Sequence, residues 1–421
     1  MIAHSLLLVA ALLSFRDSAT GFAVAAEVER TPAELLVQAD GYEASRFAAA
    51  DLPTTVWLDP AEPPEELRPD SVAARLRAGF LLLHGHVSDR QSGAPLPDAV
   101  VTARGAGVSA RSNDRGYFAM YVAAAPEAIY PEGEDLSIEI DGYATHLIRN
   151  TALLSGADTH FVVRLERGEG VTSRDDSHKI WLHRPGGEHP HAEEPAGEET
   201  APAKVIVPAS IRVGFNCACA ACSTVEVFSL ETYVKRGLND EWIASWPQES
   251  LRAGAVAYRS YGAWHTVFPR NPPNYDICST TCCQVNDPDT SLSTNAAVDA
   301  TRGVLLVRDG LPFRSEYSAE LNNLLGMRSC SNHYPTCGDG FAGSPNTSWP
   351  CLHDPVCQGH SCFGHGRGMC QWGTERWARQ GMDWRWITNH YYNDSGRPAG
   401  LRSAFIADPP PPPPRRRAVG R

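Results

Sequence analysis

A single carboxylate, Glu241, stands in the run NDEWIASWPQESLRAGAVAYRS, just ahead of a Trp-Pro step and a small-residue helix. A glutamic acid held rigidly in a cleft can protonate a poor leaving group and later take a proton back. On periodicity alone, a structural surface glutamate is the favoured reading. Asp240 is adjacent, but neighbouring side chains diverge, so it is not expected to act as a partner. Cys278, Cys282 and Cys283 in CSTTCC raise zinc, although Cys-x3-Cys-Cys is not a standard ligand spacing. Cys370 with His365 could form a thiol nucleophile, which a disulfide at Cys370 would exclude. The GHGRG string has no apolar strand before it and the wrong third-glycine spacing for a nucleotide loop.

The elements that must position these residues read as two helices. Ser229 caps a helix from Leu230, which breaks near Asn239. Ser245, Pro247 and Gln248 fit a capping box for a second, Ala-rich helix from Leu251 to about Trp264. Glu241 is then expected in the short connection between them.

Twelve cysteines, all between Cys217 and Cys370, form an even, dense set that reads as a disulfide framework in an exported chain. Cys282 and Cys283 are adjacent, so each is expected to take a different partner. The apolar run Leu6 to Leu13, followed by Ala23, Ala25 and Ala26, reads as a signal peptide over residues 1–26. No other stretch is long enough for a transmembrane helix. A net charge of −12 argues against nucleic acid as a partner.

With 421 residues, two or three domains are expected. Residues 27–75 are acidic and proline-punctuated and take no assignment. Over 76–167, short apolar runs (Phe80 to Leu83, Ala99 to Thr102, Tyr117 to Val122, Leu136 to Ile140, Phe161 to Leu165) alternate with turn clusters, as in a small antiparallel sandwich. Residues 168–204, polar and rich in Pro, Gly and Glu, read as a flexible linker. Its histidines His178, His183, His189 and His191 fit a solvated tract better than a metal trap. The chemistry falls to 205–396, followed by a Pro/Arg-rich tail over 397–421, with six consecutive prolines from Pro409.

Two resemblances extend this reading. GHVSDRQSGAPLPDAVV, SNDRGYF and IDGYATH resemble the carboxypeptidase regulatory-like domain. That implies an immunoglobulin-like all-β sandwich without chemistry of its own, with Asp114 and Gly116 in a hairpin turn and Phe118 as a core aromatic. LETYVKRGLNDEWIASWPQESLRAGAVAYRSYGAW resembles the stage II sporulation protein D and amidase-enhancer LytB family. DICSTTCCQV, AAVDATRGVLLVRDGLPFRSEYSA, GHGRGMCQWGT and WITNHYYND follow in that family's order. The resemblance implies an α+β domain in a secreted, periplasmic or envelope protein that acts on peptidoglycan glycan strands as a lytic transglycosylase, without a cofactor. It assigns Glu241 as catalytic acid/base, and Arg259, Tyr317, Ser318, His365 and Gln371 to substrate binding. For Arg259, a salt bridge holding its helix is the alternative. Some members of that family bind zinc with a histidine-cysteine pair; here the histidine position is Cys282, so disulfides are favoured.

Three departures stand out. Trp242-Ile243 replaces Met-Pro, Asn322-Asn323 replaces a glycine pair, and Cys370 enters the GMCQWG loop. The lost glycine pair favours a rival reading, a non-catalytic glycan-binding module that enhances or localises another cell-wall hydrolase.

Overall fold

The computed structural model describes residues 14–31, 34–48, 55–125, 132–177, 179, 207–272, 274–320, 341–344, 349–357, 368–393 and 404–409. Within the chain's first part, β1 (Ser14–Asp17), β2 (Glu27–Arg30), β3 (Glu34–Gln38), β4 (Ser45–Ala48), β5 (Thr55–Leu58) and a short α1 (Pro69–Ala73) precede a two-sheet unit. The stretch left unassigned from the sequence thus holds a small β2-β3-β4 sheet, and Leu35, Val37 and Phe47 share an apolar cluster with Phe15, Val56, Leu58 and Val227. The strand β1 falls inside the expected signal peptide. It pairs in parallel with β5, and Phe15, Arg16 and Asp17 are buried, so removal of residues 1–26 would take out a packed strand.

The two-sheet unit contains β6 (Phe80–Asp89), β7 (Val100–Ala103), β8 (Val108–Arg111), β9 (Tyr117–Ala123), β10 (Gly133–Glu139), β11 (Thr145–Ala152), β12 (Asp158–Leu165) and β13 (Val171–Asp175). Leu81, Leu83 and Val87 of β6 face an apolar cluster shared with Val101, Phe118, Ile138 and Phe161, following the two-residue strand period. Between β8 and β9, Asn113 Oδ1 accepts from Arg115 N (2.9 Å) and Tyr117 N (3.0 Å). Gly116 closes this turn with φ +68, and a Cβ there would lie 2.5 Å from Val87 O, so only glycine fits. The strands are not all antiparallel, as the sequence reading expects, because β6–β12 and β11–β13 pair in parallel.

The expected linker also needs correction. Its start, Val171–Asp175, adds β13 to the sheet, while Asp176 and Lys179 are buried; residues 178 and 180–204 lie outside the described set. Polar alternation hid this edge strand, whose inward residues are only half-buried.

The cysteine-rich part begins with a hairpin, β14 (Ser210–Ala218) and β15 (Ala221–Ser229), in the sheet β1-β5-β15-β14-β16, with β16 at Ile277–Cys278. Against it pack α2 (Leu230–Glu241), α3 (Gln248–Val267) and α4 (Leu292–Ala300), preceded by β17 (Asp289–Thr290). Ser229 caps α2 as expected, its Oγ accepting from Thr232 N at 3.0 Å. Helix α2 runs on through Glu241 rather than stopping at Asn239, and the N-cap of α3 is Pro247, not Ser245. Small residues let α3 be approached from several sides; a Cβ at Gly254 would lie 2.5 Å from the Trp242 ring.

Further on come β18 (Leu305–Arg308), β19 (Leu311–Pro312), β20 (Tyr317–Ser318), the antiparallel pair β21 (Phe341–Ser344) and β22 (Trp349–His353), β23 (Met369–Cys370), α5 (Gln371–Arg379), α6 (Trp384–Tyr392) and β24 (Phe405–Ala407). Strand β24 pairs with β18, so the mixed α/β part reaches into the segment read as a tail. The two halves interleave: β5 joins the sheet of β15, and β17 joins that of β12.

Candidate functional site

Glu241 is the last residue of α2, at the negative end of that helix, and its side chain is buried. Its Oε1 accepts from Val285 N at 3.1 Å, and its main-chain oxygen accepts from Gln371 Nε2 at 2.5 Å. A polar network surrounds the loop that carries Val285. Tyr233 donates to Gln284 Oε1 (2.5 Å), and Gln284 Nε2 donates to the Tyr317 hydroxyl (2.9 Å). Tyr258 donates to Val285 O (2.8 Å), while Asn286 Nδ2 reaches Tyr233 O (2.8 Å) and the Tyr258 hydroxyl (3.2 Å).

Burial first, and the Glu241 charge next, push the Tyr317 phenol well above its usual range. Tyr233 and Tyr258 are raised as well, chiefly by burial. All three therefore stay protonated around the carboxyl group. Trp242 packs edge-on to Tyr317, with centroids 4.9 Å apart, and its Nε1 donates to Thr374 Oγ1 at 3.2 Å.

Four expected site residues come together. Tyr317 pairs with Met369 and Ser318 with Cys370 in the parallel β20–β23 ladder, which leads directly into Gln371 and thus to Glu241. His365 lies outside the described residues. Arg259 does not join them. It is fully buried and forks onto Glu231, with Nε to Oε1 at 3.0 Å and Nη2 to Oε2 at 2.9 Å. Its remaining donors reach Ala255 O, Val298 O, Val304 O and Thr301 Oγ1. Glu231 opens α2 and Glu241 closes it, about 15 Å apart at the ordinary helical rise. The substrate-binding assignment for Arg259 is corrected to a bridge locking α2, α3 and α4.

Among the described residues, cysteines pair as Cys217–Cys222, Cys219–Cys282 and Cys278–Cys283. Cys282 and Cys283 take different partners, and the zinc reading of Cys278, Cys282 and Cys283 gives way because all three sulfurs are in S–S bonds. Cys370 is buried, its Sγ accepting from Gly373 N at 3.1 Å. Sequence reasoning missed Gln284 and Asn286, whose signal was the polar QVND run directly after the cysteine pair, and Tyr233, which stood in the LETY run at the start of α2.

Residues 220–307 match the SpoIID family, described as stage II sporulation protein, which ties this region to a cell-wall-related family. An uncharacterised protein of Brachyspira hyodysenteriae is 35% identical over 97 residues, covering 23% of this chain and 26% of the relative. The chain thus spans about a quarter of that relative's length. Among solved structures, a cohesin–X-dockerin complex from Acetivibrio cellulolyticus is similar at 18% identity over 20% of this chain and 52% of that one, with a TM-score of 0.16. The Bacillus anthracis TIE protein is similar at 12% identity over 37% and 33%, also with a TM-score of 0.16. Overlaps that small carry no inference about fold or function. Among the described residues, no helix is long and apolar enough to cross a membrane.

Proposed function

We propose that the protein is an exported, peptidoglycan-active lytic transglycosylase in which Glu241 serves as both acid and base. The observation that carries this reading is the separation of two neighbouring carboxylates. Asp240 Oδ2 accepts from Asp287 N (2.8 Å) and its Oδ1 lies 3.1 Å from Lys179 Nζ, whereas Glu241 turns to Val285 and the tyrosine network. Hydrolysing glycosidases pair two carboxylates across the bond. A transglycosylase works with one. Glu241 gives its proton to the glycosidic oxygen as the bond to C1 breaks. The sugar's own 6-hydroxyl then attacks C1, closing a 1,6-anhydro ring, and its proton returns to Glu241. Tyr317, Ser318 and Gln371 are assigned to hold the sugar beside it, and the disulfides among the described residues suit an oxidising, extracytoplasmic setting.

Mass spectrometry of denuded glycan strands after incubation tests the reaction: 1,6-anhydro ends are expected, and reducing ends would mean hydrolysis with a second carboxylate. One observation favours the rival reading, a glycan-binding module that assists another cell-wall hydrolase. Glu241 is only 6% exposed, so a substrate reaches it only if its cover shifts. Strands bound but left intact by the wild-type protein would decide for that reading.

A further inference from the structure

Directly behind Glu241 lies a buried ionic cluster drawn from both halves of the chain. Lys179, from just beyond β13, places its Nζ 3.1 Å from Asp240, 3.4 Å from Asp287 and 3.9 Å from Asp176, and it is paired closely with Asp289. Arg174 of β13 forks onto Asp176 at 2.7 and 2.9 Å and lies 3.9 Å from Asp287. Four buried carboxylates therefore face Lys179 and Arg174, with the buried Arg236 guanidinium also acting on Asp287 and Asp240. Removing one ion from such a cluster leaves an uncompensated buried charge. Here the cost is concentrated at one place, because Asp240 lies in the last turn of α2 beside Glu241, where the helix dipole already disfavours negative charge.

The cluster also holds the backbone that holds Glu241. Asp240 accepts from Asp287 N and Glu241 accepts from Val285 N, so the two neighbouring acids grip one short loop. Asp287 Oδ1 accepts from Asp289 N at 3.2 Å, and Asn239 Nδ2 donates to Asp289 at 3.4 Å. Lys179 is the group that touches Asp240, Asp287 and Asp289 together. Burial alone would lower the lysine, but the charges of Asp287, Asp240 and Asp176 outweigh it and keep the ammonium above its usual range. It also stands among Asp176, Asp287 and Asp289, whose oxygens lie within 4.8 Å of one another, in the place a bound cation would otherwise take.

We propose that Lys179, carried by the strand-rich N-terminal half and outside residues 220–307, is the positioning residue for Glu241, so that the site is incomplete without that half. This rests on the transglycosylase reading above. The test uses the full chain with Lys179→Met and Lys179→Arg, reading kcat and KM on denuded glycan strands together with amide hydrogen exchange at Val285 and Asp287. Lys179→Met should lower kcat about tenfold to a hundredfold, the scale expected for a misplaced reacting group. KM should stay within about twofold, because binding is not what is lost. Exchange at both amides should quicken, and Lys179→Arg should restore both readouts most of the way.

Wild-type kcat and undisturbed amides in Lys179→Met would overturn the proposal. If the wild-type protein cleaves nothing, the transglycosylase reading fails, and the amides alone judge the positioning: faster exchange in Lys179→Met but not in Lys179→Arg supports it, and unchanged exchange overturns it. Should Lys179→Met not fold, the charge-balanced Lys179→Gln with Asp289→Asn takes its place. The same losses are expected there, and normal kcat with normal exchange would overturn the proposal.

Discussion

The two-sheet unit and the cysteine-rich part solve the same stability problem with different means. The former encloses a continuous apolar cluster between its sheets and has no cysteine; the long strands β6 and β12 are buried along almost their whole length. The outer face of β6 is polar instead, with His84, His86 and, from β12, His160 packed under Glu66 and Phe22. The cysteine-rich part has an apolar core around α3, but the tip of its hairpin is partly exposed and carries Cys217, Cys219 and Cys222. Disulfides appear where the apolar cover runs out. Acid should therefore loosen one region first and reductant the other.

The largest effect should come from acid. Burial holds His84 and His160 below the ordinary histidine range and takes His146 down to about 4. A histidine whose folded pKa is depressed contributes stability that is present above its unfolded value, near 6.5, and lost as the pH falls through the folded one. Between about pH 6.5 and 4, hydrogen exchange of β6 and β12 should quicken more than that of α3, because three depressed histidines lose their contribution in the two-sheet unit. Among the described residues of the cysteine-rich part the corresponding group is His265 alone, lowered to about 3, so one histidine acts there over the same window. Equal acid sensitivity in both regions would break the comparison.

Arg259→Met comes next. It leaves Glu231 without its fork at the junction of α2, α3 and α4 and should cost about 3–5 kcal/mol in denaturant unfolding. A loss below about 1 kcal/mol, the scale of a surface ion pair, would restore Arg259 as a candidate substrate ligand. Cys219→Ser with Cys282→Ser opens the link between the hairpin tip and the loop before Gln284, across a sequence separation of 63. It should cost about 2–4 kcal/mol, with exchange in β6 and β12 unchanged. Equal destabilisation of both regions would mean that the shared sheets couple them into one unit.

Much of the molecule was legible in the sequence where a local pattern carries it. Alternation and turn clusters gave five of the strands between Phe80 and Leu165 but not β8 or β11, and Ser229 gave the start of α2. What was missed depends on partners far along the chain. Thr55–Leu58 is a short apolar run with no local sign that it will pair beside Val227. Val171–Asp175 is too polar to look like a strand until β11 is beside it. Ser245 carries a capping signal that the structure does not use, which misplaced the end of α2 by two residues and put Glu241 in a loop. The role of Arg259 was ambiguous because an arginine that binds a sugar and one that locks three helices look the same in a motif. Lys179 had no signal, since its partners lie from Asp176 to Asp289.

The measurement that tests the central claim most directly is the cleavage of denuded glycan strands by wild-type protein and Glu241→Gln, with strand binding measured alongside. The substitution keeps the side chain's shape and removes its transferable proton. The wild-type protein should release 1,6-anhydro ends, and Glu241→Gln should do so about a hundredfold to ten-thousandfold more slowly while binding strands equally well. Equal processing by both proteins would show that the buried carboxylate at the end of α2 is structural and would contradict the account.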